Sequence, residues 1–255
     1  MNTTWTRCIG DFRQWKLGQL GLVAAASLAL ALGLAACQNV AGFTQPSLVR
    51  VIDASYIAPA VNVQVEGLLL AANLGEGTVT NYGTVPAAQT AAVKVSAAKG
   101  GATLVSSNVT LLAGAQHSIF LTDNGAAPTS YTVTVLEDNI SAAGGHSAFR
   151  FLNQAPRTGP VDVYMIPSNT TIANAIPVAA NLPVGATANT TFTSQTVTMV
   201  ITPTGAVTPT YTSKGLALTG GEVYTVVIID SQLTSNPPVA VVLVCDNTDL
   251  TQCAL

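Results

Sequence analysis

The chain repeats itself at a displacement of 100 residues, and this limits what it can fold into more than any other feature. Ser47-Leu48-Val49-Arg50-Val51-Ile52-Asp53 returns as Ser147-Ala148-Phe149-Arg150-Phe151-Leu152-Asn153, and Val61-Asn62-Val63 returns as Val161-Asp162-Val163. Farther on, Ala71-Ala72-Asn73-Leu74 is matched by Ala179-Ala180-Asn181-Leu182, and Leu136-Glu137-Asp138-Asn139 by Val244-Cys245-Asp246-Asn247, by which point the displacement has drifted to 108. Two related units, the second with small loop insertions, account for this more simply than one large domain. At about 100 residues each unit has an ordinary domain size. The reading places one domain over 47–139, a second over 147–247, and a tail over 248–255. The short connection Asn139–His146, with Gly144 and Gly145, permits relative motion but not wide separation.

Within each copy apolar and polar residues alternate with a period of two, as in Val61-Asn62-Val63-Gln64-Val65, Tyr131-Thr132-Val133-Thr134-Val135 and Val197–Thr202. Such alternation sends side chains to opposite faces of a strand. The denser runs Ile119-Phe120-Leu121 and Tyr224–Ile229 predict central strands buried on both sides. Turn signals recur at short intervals, among them Asp123-Asn124-Gly125, Thr204-Gly205 and Gly220-Gly221. No stretch beyond residue 40 keeps a helical apolar period. The fold class expected is all-β: two tandem immunoglobulin-like β-sandwich domains of seven or so strands each, after an N-terminal signal helix, with a barrel as the structural alternative.

The N-terminus has a different character. Arg7, Arg13 and Lys16 precede an uncharged run rich in Ala, Leu, Val and Gly from Leu17 to Ala36, the basic and apolar regions of an export signal. The run ends in Leu34-Ala35-Ala36-Cys37, which resembles the lipobox of bacterial lipoproteins. The resemblance implies cleavage after residue 36 and lipid on the Cys37 sulfur, with residues 37–46 as lipidated Cys and tether. Several acyl chains bind a bilayer far more durably than the marginal single chain. Gln38 stands where inner-membrane lipoproteins often carry Asp, so the resemblance favours the outer membrane or cell surface. An uncleaved membrane span is the alternative reading of the same run.

Charge excludes one class of partner. Hydrophobic residues make up 49% of the chain and charged residues only 8%, so solvation falls to Thr, Ser, Asn and Gln. Beyond residue 36 there are six basic side chains against eleven acidic, a formal charge of −5. The six are scattered, whereas phosphate-backbone binding needs clustered cations; no nucleic-acid partner is expected. Of four cysteines, Cys8 falls in the signal and Cys37 takes lipid. Cys245 and Cys253 are close enough in sequence for a disulfide in an oxidising compartment, with two free thiols as the alternative.

The repeated segments also resemble a known family. Arg150-Phe151-Leu152-Asn153-Gln154-Ala155-Pro156 followed by Val161-Asp162-Val163-Tyr164, then Leu182-Pro183-Val184-Gly185 and the Leu136–Asn139 ending, are similar to the bacterial family of domains of unknown function numbered 4397, in tandem over most of residues 47–247. In the first copy Asp53, Tyr56 and Asn62 depart from the family's pattern. The resemblance implies an exported or surface β domain and supplies no catalytic residues.

No catalytic, cofactor or metal site is expected. A hydrolytic triad needs a base in reach of a nucleophile, and the two histidines are His117, on a predicted strand, and His146, in the connection. Asp246, Asp249, Asp138 and Asn139 could offer oxygens to calcium, but turn capping is the preferred reading. Arg50 and Arg150 stand at equivalent positions inside apolar runs. Either they point outward to solvent, the preferred reading, or they pair with a buried carboxylate such as Asp162 or Glu137. Asp53 with Asn62, and Asn153 with Asp162, are expected to fix the first loop of each unit. Sparse aromatics weaken a sugar-binding role. The expected function is a non-enzymatic envelope lipoprotein displaying two sandwiches for structural, adhesive or binding roles. Its partners are membrane lipid through Cys37 and a protein or other envelope component. The alternative is a small-ligand or metal-binding protein using the interdomain crease.

Overall fold

In the computed structural model, residues 44–124, 130–167, 170–232 and 239–246 are described. They belong to one compact unit and are all-β, with a single 3-10 turn at Ile172–Asn174. Cys37, the signal segment and Cys253 lie outside the described residues.

Two immunoglobulin-like sandwiches follow one another. In the first, one sheet has the order β4 (Gly83–Val85), β1 (Ser47–Asp53), β7 (Gln116–Asp123), β8 (Tyr131–Glu137), and the facing sheet the order β3 (Leu68–Leu74), β2 (Val61–Val65), β5 (Ala88–Ala97), β6 (Thr103–Leu111). The second repeats this order: β12 (Thr187–Thr193), β9 (His146–Gln154), β15 (Val223–Asp230), β16 (Val239–Cys245), facing β11 (Ala179–Leu182), β10 (Val161–Pro167), β13 (Thr196–Pro203), β14 (Tyr211–Ala217). Each half thus has eight described strands, one more than the turn spacing predicts. In both halves the first and seventh strands pair in parallel, Arg50 beside Ser118 and Arg150 beside Thr225; the other ladders are antiparallel.

The alternation does more than separate core from solvent. On β1, Val49 and Val51 face the interior of the first sandwich, while Ile52 joins a different cluster with Phe120, Leu152, Val227 and Val244. On β9, Phe149 and Phe151 enter the second interior, and Leu152 turns to that same third cluster. The third cluster therefore lies between the sandwiches, built from the outer faces of their β1- and β9-containing sheets. Strands β7 and β15 are buried along nearly their whole length because each contributes to two cores, as their dense apolar runs predict.

Two repeated motifs have local structural explanations. Asn73 and Asn181 take left-handed backbone, with φ of 54° and 48°, a conformation that Asn tolerates better than most residues. Each sits by a register shift in its ladder and donates its backbone N–H to the residue before the central valine, Asn62 Oδ1 at 2.9 Å or Asp162 Oδ1 at 2.6 Å. The connection between the halves is closely held. A Cβ on Gly220 would lie 2.9 Å from the Gly145 Cα, and Gly221 N donates to His146 O. The glycines expected to provide a hinge here permit close backbone contact.

Phe151 is fully buried and stacks on Phe149 at 5.9 Å between centroids. Phe151→Ala should lower the free energy of unfolding by about 3–5 kcal/mol, read from the shift in a urea transition.

Candidate functional site

The polar residues retained at equivalent places in both halves meet at one end of the surface between the sandwiches. Arg50 and Arg150 are on the outward faces of β1 and β9, yet they are 0% and 4% exposed because each outward face is covered by the other sandwich. The preferred reading that they face solvent is therefore overturned. Their Nε atoms donate along their own sheets, Arg50 to Ser118 Oγ at 2.7 Å and Arg150 to Thr225 Oγ1 at 3.1 Å. Those hydroxyls donate to the aspartate following the last strand of the same half, Ser118 to Asp138 Oδ2 and Thr225 to Asp246 Oδ2, each at 2.6 Å. The guanidinium ends then cross over. Arg50 Nη2 pairs with Asp246 of the second half, and Arg150 Nη2 with Asp138 of the first. Arg50 also stands 3.3 Å from Asp138, and Arg150 Nη1 donates to Glu137 O at 2.9 Å.

Two arginines and two aspartates form a charge-balanced buried cluster with near two-fold reciprocity. Asp162 is not a partner, since it accepts from the backbone of Asn181 and Gly205. Glu137 contributes its carbonyl, and its neighbour Asp138 supplies the carboxylate. Asp138 and Asp246, read from sequence as turn-capping residues, are instead ion-pair partners. Tyr82 adds a hydroxyl bond to Asp138 Oδ2 at 2.7 Å, and the Arg50 guanidinium carbon lies 4.9 Å from its ring centroid.

The electrostatics follow the count of partners. Burial tends to raise the Asp138 pKa, but Arg50, Arg150 and hydrogen bonds outweigh it and hold the carboxyl below its ordinary value. Asp246 pairs with Arg50 alone; burial prevails and its pKa is raised. For Arg50, burial opposes the charge, while Asp138 and Asp246 more than compensate and raise its pKa. Tyr82 is raised by burial and then by Asp138.

The remaining candidates are dispersed. His117 is buried and its Nε2 accepts from Leu112 N at 3.3 Å; burial lowers its pKa against the pull of Glu137 and Asp138. His146 begins β9, its Nδ1 3.2 Å from Gly144 O. Asn153 fixes its loop, Nδ2 donating to Gly159 O and Leu182 O. Cys245 ends β16, is buried and is disulfide-bonded; Cys253 lies outside the described residues. No group of three or more His, Cys, Asp or Glu among the described residues could hold a metal.

Between the sandwiches lie the third apolar cluster and the ion pairs. Two described cavities lie elsewhere, in the seams of the individual sandwiches. One, of about 290 Å³, is walled by Phe149, Leu216, Leu218, Tyr224 and Leu243. The other, more open and about 510 Å³, runs past Asn108, Thr110, His117, Thr134 and Glu137.

The roles of Ser118, Thr225 and Tyr82 escaped the sequence reading. Only the repeat alignment carried a signal for the first two: both stand two residues into their strands, beside the matched arginines.

Comparison with known proteins adds a family match. The profile of DUF4397, a domain of unknown function, matches residues 47–164, running from β1 into β10. No curated protein matches the chain. Among solved structures it is similar to a family-26 carbohydrate-binding module of Eubacterium rectale Amy13K, solved with maltoheptaose. The identity is 10%, with 77% of this chain and 96% of that one covered, at a TM-score of 0.23. It is also similar to a candidate cell-adhesion protein of Bacteroides fragilis NCTC 9343, at 12% identity, 83% and 100% coverage, and a TM-score of 0.19. At such scores neither likeness carries an argument about function.

Removing one member of a buried pair strands its partner's charge. Arg150→Ala should cost about 3–5 kcal/mol of stability, and a double-mutant cycle with Asp138→Ala should give a coupling of about 1–3 kcal/mol. Because the folded Asp138 pKa is depressed, its contribution is present above the ordinary aspartate pKa and is lost as pH falls through the folded value. In acid the gap between wild type and Asp138→Asn should therefore narrow in urea titrations.

Proposed function

We propose that this protein is a non-enzymatic bacterial envelope lipoprotein, anchored by lipid on Cys37 and displaying two DUF4397-type sandwiches, the second an unmatched tandem copy, as one structural, adhesive or binding module. The observation that carries the display reading is the use of the repeated charged residues. Arg50, Arg150, Asp138 and Asp246 join the two halves, which leaves contact with a partner to outer surfaces that are polar and nearly uncharged. On β6, Thr103, Ser106, Asn108 and Thr110 face solvent, a surface suited to hydrogen bonding with a protein or other envelope component and not to nucleic acid. The lipobox-like Leu34–Cys37 supports anchoring, and Gln38 favours the outer membrane or cell surface. The alternative, a ligand or metal held in the interdomain crease, is less favoured because apolar side chains and ion pairs meet there.

In cells fed an alkyne fatty acid, the wild-type chain should take up label and sediment with membranes. Cys37→Ser should lose the label and be released by washing; retained label would remove the anchoring claim. The unlipidated variant should still bind isolated envelopes saturably, and absence of saturable binding would remove the display reading.

A further inference from the structure

Asp53 ends β1 and Asn153 occupies the equivalent place on β9, with the same turn built on each. Asp53 Oδ1 accepts from Ser55 N at 3.1 Å, and Asn153 Oδ1 from Ala155 N at 3.0 Å. The second oxygen or nitrogen distinguishes them. Asn153 Nδ2 donates to the carbonyls of Gly159 at 2.9 Å and Leu182 at 3.0 Å, closing the β9–β10 loop onto the end of β11. Asp53 Oδ2, in a residue with no solvent exposure, has no hydrogen-bond partner among the described residues. Leu74 is the register counterpart of Leu182, each facing the valine that opens the second strand of its half.

An ionised carboxylate could not take the part of an amide N–H, whereas a neutral acid has one O–H to give. We propose that Asp53 is carried as the neutral carboxylic acid, its O–H substituting for Asn153 Nδ2, and that loss of this proton is a built-in pH switch that loosens the first sandwich where it meets the second.

The surroundings favour the neutral form. Burial is the largest influence, and the acids Asp123, at the end of β7, and Glu76, between β3 and β4, oppose a further negative charge; only the bond from Ser55 acts the other way. Together they push the Asp53 pKa to about 7. Tyr131, opening β8, also feels this charge. Arg157 acts on Glu76, and Asp230 bears on Asp123.

The connection to the second sandwich runs through the Asp53 backbone. Its N–H donates to Thr78 O at 3.1 Å, and its carbonyl accepts from Gly77 N at 2.8 Å. In the same loop Glu76 Oε1 accepts from Gln232 N of the second half at 3.1 Å. A Cβ at Gly77 would lie 3.6 Å from Val242 and 3.8 Å from Ile229. The folded pKa is raised above its unfolded value, so the native state holds the proton more tightly. Asp53's contribution is complete below the unfolded pKa and declines as pH rises through about 7.

The test compares full-length wild type with Asp53→Asn, unfolded in urea at a series of pH values from 5 to 9. The ratio of their unfolding constants should shift in favour of the variant by about tenfold or more between pH 5 and pH 8. A ratio constant over that range overturns the proposal. A second measurement needs no variant: the carboxyl carbon of Asp53, followed by NMR in the wild type, should report a protonated acid at pH 5.5 that titrates near neutrality. A carboxylate already ionised at pH 5.5 likewise overturns it.

Discussion

The structure depends on an exchange of charges. Each arginine is anchored by a hydroxyl of its own sheet and reaches the aspartate of the other half. Two buried guanidiniums would be prohibitively costly alone, and the pairs are better understood as specifying an arrangement than as a source of net stability. They fix how the outer sheet faces meet. The apolar cluster around Ile52, Phe120, Leu152 and Val227 supplies the non-directional attraction and would tolerate sliding; the ion pairs do not.

This explains why the central strands are buried on both faces in a chain whose outer sheets are ordinary and half-wet. The two-residue period directs alternate side chains into separate cores, one within a sandwich and one shared. Val49 and Arg50 are neighbours in sequence but belong to different assemblies. A substitution at Val49 or Val51 therefore disturbs a single sandwich, while one at Arg50 or Ile52 disturbs the relation between the two.

Most of the architecture was legible in the sequence because alternation and repetition are local signals. The all-β class and the dense central strands follow from patterns visible within a few residues. The paired arginines were visible too, along with the matched Asp138 and Asp246, but their association was not. An arginine on an alternating strand normally points to water, and only the presence of a second sandwich against that face reverses the expectation. That long-range contact leaves no local trace. The same holds for Asp53, whose difference from Asn153 was apparent as a letter, while the missing donor at Oδ2 is a property of burial.

The reciprocity of the contacts is that of an isologous dimer, one patch meeting its like, here with both patches on a single chain. Covalent linkage changes what such an interface can become. In a true homodimer every residue change appears twice, on both sides of the axis, and must suit itself. Where both faces belong to one chain, each has a single, different counterpart and can differ alone. Ser118 opposite Thr225 and Phe120 opposite Val227 are differences of that kind, and they give the two sides of one surface separate chemical characters.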